Sequence, residues 1–126
     1  MIELSSFDGI YLHREFVDFR KSIDGLSGIV GDLSLDIYGR HLFVFCNRGR
    51  SKLKILYWDR TGFALWYKRL EKERFHWPRK LESDVVTIDR EKLVWLLSGI
   101  DVWKLKSHET LKYFSNTETK SENISM

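Results

Sequence analysis

Hydrolytic chemistry needs clustered acids, a nucleophile beside its base, or a metal site. The residues that could supply these are scattered along this chain. The four histidines are His13, His41, His76 and His108, and none has H-x-x-x-H spacing or a C-x-x-C companion. Cys46 is the single cysteine. It makes a poor metal pair with His41, because their odd spacing along a strand places the two side chains on opposite faces. There is no G-x-x-x-x-G-K-[ST], no G-x-S-x-G and no G-x-G-x-x-G. Asp59 belongs to a turn sequence, and Asp24 is spaced to pair with Arg20 at i,i+4. This pattern implies a non-enzymatic protein, with no catalytic residues, no metal and no cofactor.

The chemistry that the sequence does offer is electrostatic. The net charge of +3 conceals a strong asymmetry. From Arg40 to Lys80 there are twelve Lys and Arg against three acids, a net +9; the remainder carries nine basic and fifteen acidic residues, a net −6. Within that basic segment the stretch LKILYWDRTGFALWYKRLEKERFHWP, Leu53 to Pro78, interleaves three of the five tryptophans with lysines and arginines. Cations can replace counterions along phosphates, and aromatic faces can stack on unpaired bases. The plainer alternative is a strand pair with an ordinary solvated face.

The elements that must position these side chains follow from periodicity. Ile10–Leu12 reads as a short strand. Asp18 reads as the N-cap of a helix over Phe19–Val30, with Gly25, Gly28 and Gly31 suggesting close approach of another backbone. Leu42–Cys46, Lys52–Trp58 and Phe63–Leu70 read as three strands joined by NRGRS and DRTG turns, a β-meander. A further strand is expected near Arg74–Trp77, stopped by Pro78, the only proline. Asp84–Val86 reads as a short strand. Thr87 is then expected to cap a helix over Ile88–Ser98, with Gly99 just past its end. A weaker helical signal runs from Lys104 to Phe114. The resulting class is α+β: a small antiparallel β-meander sheet packed with two helices, in a single domain over residues 1–114, followed by a mobile polar tail, 115–126.

If DRTG closes a hairpin with Asp59 opposite Gly62, Trp58 faces Phe63, Leu56 faces Leu65, Lys54 faces Tyr67 and Lys52 faces Arg69. Alternation then separates two faces. Leu53, Ile55, Tyr57, Ala64, Trp66, Lys68 and Leu70 form a core face, with Lys68 at its rim. Lys52, Lys54, Leu56, Trp58, Phe63, Leu65, Tyr67 and Arg69 form a cationic and aromatic surface. The candidate nucleic-acid-binding residues are Arg48, Arg50, Lys52, Lys54, Trp58, Tyr67, Lys68 and Arg69.

Composition limits the setting. Hydrophobic residues make up 43% and aromatics 14% of 126 residues, which describes one folded domain. A lone cysteine suits a reducing compartment. No secretory signal and no apolar run long enough to cross a bilayer is visible, so a cytoplasmic location without a membrane partner is expected. Nothing in the sequence fixes an oligomeric state.

Longer blocks carry a more specific message. DFRKSIDGL (Asp18–Leu26), HLFVFCNRGRSKLKILYWDRTGFALWYKRLEKERFHWP (His41–Pro78) and LLSGID (Leu96–Asp101) resemble, in the same order, the TnpB-type accessory protein (second open reading frame) of the insertion-sequence-sixty-six transposon family. The resemblance extends from about Ile10 to Trp103. It departs from the family at Glu15-Phe16-Val17, where members often have a small residue or proline. The resemblance implies an accessory protein for DNA transposition, encoded beside a much larger transposase and without established activity of its own. Its expected partners are DNA, at the transposon ends, and the transposase of the same element. A protein-only scaffold that binds the transposase without DNA affinity is the alternative.

Overall fold

The computed structural model describes residues 3–78 and 83–104. Leu42–Cys46 determines the architecture. These five residues are all buried, without alternation, in a strand β2 that spans His41–Cys46. A strand apolar on both faces must be covered on both. On one side β2 pairs antiparallel with β3 (Lys52–Asp59), which pairs antiparallel with β4 (Gly62–Arg69). On the other it pairs parallel with β1 (Gly9–His13), which pairs antiparallel with β5 (Val85–Ile88). The order β4-β3-β2-β1-β5 makes a five-stranded mixed sheet. The fold is α+β as expected, but the antiparallel meander covers only β2 to β4. A parallel pair needs a long connection, and helix α1 (Ile23–Asp32) lies within the one between β1 and β2.

Each sheet face has its own core. On one, Leu26 and Val30 of α1 pack against Phe43, Phe45 and Leu56, with Phe63 and Leu65 beside them. On the other, Leu93, Leu96 and Leu97 of α2 (Arg90–Leu97) pack against Leu12, Val44, Leu53 and Ile55, together with Phe75 and Trp77. The expected strand near Arg74–Trp77 does not form. Its apolar residues instead lie across the second face, and the Trp77 indole N–H donates to the carbonyls of His13 and Arg14 at 3.2 and 2.9 Å.

The helix boundaries shift for identifiable reasons. Helix α1 begins after Ser22, not Asp18, because Asp18 is engaged by Arg20, whose guanidinium donates to both carboxylate oxygens. That contact, rather than an Arg20–Asp24 pair, holds the Asp18 carboxyl down at about 2, so it persists above pH 4 and is lost as pH falls towards 2. Helix α2 is capped by Asp89, whose carboxylate accepts from the Lys92 amide at 2.8 Å, not by Thr87, which is in β5. Gly99 does follow that helix, with φ of +84°. The glycines of α1 do not mark a close backbone approach. A methyl group at Gly28 or Gly31 would meet nothing within 4 Å. The helical signal expected from 105 to 114 and the tail 115–126 lie outside the described residues.

Two lysines fasten the helical layers to the sheet. Lys54 of β3 donates to the carbonyls of Phe19 and Lys21, at 3.1 and 3.0 Å, just before α1, and lies 4.7 Å from the centroid of the Phe19 ring. Lys68 of β4 donates to the carbonyl of Leu97 at 2.9 Å, at the end of α2, where a cation also complements the helix dipole.

Two outcomes follow. Gly28→Ala should raise stability by about 0.5–1 kcal/mol, because it adds helix propensity without a clash. Lys54→Met should lower it by about 1–2 kcal/mol, through loss of charged hydrogen bonds and the ring contact. Urea denaturation of both variants checks the two signs; a neutral Lys54→Met would show that the clamp contributes nothing.

Candidate nucleic-acid interface

The hairpin register is the one the turn chemistry implies: Lys52 opposite Arg69, Lys54 opposite Tyr67, Leu56 opposite Leu65 and Trp58 opposite Phe63. The face assignment needs correction. Three of the eight residues of the expected cationic and aromatic surface belong to a core, since Leu56 is fully buried and Phe63 and Leu65 pack in the α1 cluster. Trp58 belongs to an aromatic group at the hairpin tip, edge-on to Phe63 at 5.0 Å and to Tyr38 at 5.2 Å. The ammonium groups of Lys54 and Lys68 serve the helices. Tyr67 is exposed and lies near Phe19. Arg69 is exposed and pairs with Glu71 at 2.9 Å.

What the fold does concentrate is charge at one end of the sheet. Because β1 and β2 are parallel, both finish at the same end, and β3 begins and β4 ends there. In open sheets the space outside the carboxyl ends of parallel strands, where the connections diverge, is a usual place for ligands. Here the chain leaving β1 carries Arg14, Glu15 and Phe16, and the β2–β3 loop carries Arg48 and Arg50. Together with Trp77 and Pro78 these residues line a cavity of about 680 Å³. A second cavity of about 460 Å³ shares Arg50, Trp77 and Pro78 and continues to His76, Asp101, Trp103 and Lys104.

The loop that presents the two arginines is built by Asn47. Its side-chain carbonyl accepts from the amides of Ser51 and Lys52, both at 3.0 Å, and its backbone carbonyl accepts from the Arg50 amide at 3.0 Å. Arg50 takes φ of +57°, a left-handed conformation that normally favours glycine. Gly49 is the immediate neighbour, yet the arginine occupies the strained position. Its carbonyl accepts from the Phe75 amide at 2.7 Å, which pins the loop to the segment leading to Trp77.

The cations differ in how they are held. Arg14 is tethered: its guanidinium donates to the Ser83 carbonyl at 3.1 Å and reaches Asp84 at 3.5 Å. Among the described residues, Arg48, Arg50 and Lys52 form no ion pair. Lys52 stands directly across from Arg69, a like-charge pair that disfavours the folded state unless an anion is shared. Glu71 supplies one on the Arg69 side. Arg14, Phe16, Asn47 and Trp77 were not among the sequence candidates. The NRGRS turn signal pointed to Asn47, whereas Arg14 and Trp77 join the site only through contacts 63 residues apart in the chain.

His76 Nδ1 lies 3.6 Å from Asp101 Oδ2, and Cys46 is buried. Among the described residues no group of three or more His, Cys, Asp or Glu could hold a metal ion. Burial pushes the Cys46 thiol up to about 12. No helix of the described residues is long and apolar enough to cross a membrane.

The described residues thus form a small mixed sheet with Arg14, Arg48, Arg50, Lys52 and Arg69 gathered at one sheet end. The chain belongs to the IS66 Orf2-like protein family, whose model matches residues 8–107, nearly the whole described region. That family is one of accessory proteins associated with transposition, not a known enzyme family. Among curated proteins the chain is 42% identical over 72 residues to the uncharacterized protein y4hO of Sinorhizobium fredii (strain NBRC 101917 / NGR234), covering 57% of this chain and 61% of that protein. It is 33% identical over 91 residues to the uncharacterized protein y4jC of the same organism, covering 71% and 77%. The match thus spans less than two thirds of y4hO. No solved structure matches the chain significantly.

The loop and the thiol each yield an expected result. Arg50→Gly should stabilise the fold by up to about 1 kcal/mol, because it relieves the left-handed strain; thermal melting reads this, and a destabilised variant would show that the arginine side chain holds the loop. Cys46 should resist thiol reagents at pH 8 until the protein is denatured. A thiol whose folded pKa lies above its ordinary value of 9.0 favours the folded state below that value and loses this contribution as pH rises towards 12.

Proposed function

We infer that the chain is a transposition accessory protein that binds DNA through the sheet end carrying Arg48, Arg50 and Lys52, with Arg69 and Tyr67 at its margin, and that it brings the transposase of the same element to that DNA. The observation that carries this reading is the strained Arg50 beside Arg48 and Lys52, without carboxylate partners among the described residues, on a loop fixed by Asn47. Strain of this kind is retained where a side chain's position is worth more than the stability it costs. Cations left without protein partners are the ones able to release counterions from phosphates. Lys54, Lys68 and Trp58 act in this account as supports, holding the two helices and the hairpin tip. They do not contact DNA.

The test is the salt dependence of binding to DNA from the transposon ends. Arg48, Arg50 and Lys52 replaced together by Ala should flatten the log–log slope by up to about 2.7, at roughly 0.9 per phosphate contact. The variant should keep its far-ultraviolet spectrum and melting temperature. An unchanged slope in a folded triple variant would place the DNA surface elsewhere. Capture of the transposase by a protein with no DNA affinity at any salt would favour the scaffold reading instead.

A further inference from the structure

We propose that the cavity between the β1 exit and the β2–β3 loop takes an unpaired nucleotide, so that this protein recognises frayed or single-stranded DNA ends in preference to intact duplex. The inference deepens the DNA-binding reading above and rests on it. Three features of the cavity lead to it. Its volume, about 680 Å³, is within the range that encloses a small ligand, whereas a duplex can only lie across its mouth. Its walls combine two kinds of group. Arg48 and Arg50 come from the β2–β3 loop, and Phe16, 38% exposed, from the chain leaving β1. An unpaired nucleotide needs both, a cation for its phosphate and a flat apolar surface for its base. Part of its lining is firmly held: Trp77 is 4% exposed and fixed by two hydrogen bonds to the carbonyls of His13 and Arg14, and Pro78 beside it is buried.

The second cavity extends the same logic. It shares Arg50, Trp77 and Pro78 with the first, so Arg50 stands where the two meet. A strand whose base occupies the first cavity can pass its next phosphate over Arg50 and continue past Lys104. This gives the left-handed Arg50 a specific task, since it lines both cavities. Glu15 is the one acid lining the first cavity, and it lies 4.0 Å from the Arg14 guanidinium, which partly neutralises it.

The experiment compares binding of the full chain to a blunt duplex and to the same duplex with a short single-stranded overhang, by fluorescence anisotropy at matched salt. The overhang should bind about tenfold more tightly, the gain expected from one stacked base. Phe16→Ala should bring the ratio of the two affinities back towards one, and Phe16→Tyr, which keeps a stacking face, should restore it. Phe16 lies outside the core, so circular dichroism should report a folded variant. Equal affinity of the wild type for both DNAs would overturn this proposal while leaving the duplex reading intact. Failure to bind either DNA would overturn both. Binding of poly-glutamate that disappears in Phe16→Ala would make the cavity a site for acidic peptide, and would also overturn the proposal.

Discussion

The burial of β2 on both faces is the constraint from which the rest of the molecule follows. Five consecutive apolar residues at the centre of a sheet cannot be satisfied by one layer. Helix α1 is therefore drawn over Phe43 and Phe45, and α2 with the Phe75–Trp77 segment over Leu42, Val44 and Cys46. Once both faces are occupied, a ligand has access only to the rims and ends of the sheet. The cations on β3 and β4 divide accordingly. Lys54 and Lys68, just inside the strand ends, turn to the carbonyls of Phe19 and Lys21 and of Leu97, whereas Lys52 and Arg69 form the terminal pair of the ladder at the end of the sheet.

This division changes how the basic segment is understood. A count of +9 between Arg40 and Lys80 suggests one broad cationic surface. In the structure the same charges do three different things. Some hold helices in place; Arg69 pairs with Glu71. Arg48, Arg50 and Lys52, gathered at one sheet end, form no ion pair among the described residues, and neither do Arg60, Lys72 and Arg74. Net charge alone overstates a binding surface whenever long lysines can reach unsatisfied carbonyls, because such a bond satisfies a backbone acceptor that would otherwise need water.

Much of the fold could be read from the sequence. The DRTG turn gave the hairpin register residue by residue, since a two-residue link leaves little freedom. The strands of β1 and β5 were visible as short apolar runs, but their pairing was not. The parallel β1–β2 pair depends on a crossover that no local pattern encodes. The helix starts were misplaced for a local reason: Asp18 and Thr87 are plausible caps, but Asp18 is engaged by Arg20 and the Lys92 amide is capped by Asp89. The double-sided core was legible in principle. Leu42–Cys46 does not alternate, and a strand of that kind implies two covered faces, which argued against leaving Leu56, Phe63 and Leu65 on a solvent surface. The site was half legible. Arg48 and Arg50 were evident from charge, whereas Phe16, Arg14 and Trp77 enter only once β1 and β2 are known to end side by side.

The central claim is that partners meet this protein at the sheet end around Asn47–Lys52, not on a sheet face. Amide chemical-shift mapping during titration with overhang DNA tests it most directly. The account predicts that the largest changes fall on Arg14–Val17, Arg48–Lys52 and Trp77, with α1, α2 and the Tyr38–Trp58 tip little affected. Changes centred on that aromatic tip, or spread along the helices, would contradict it.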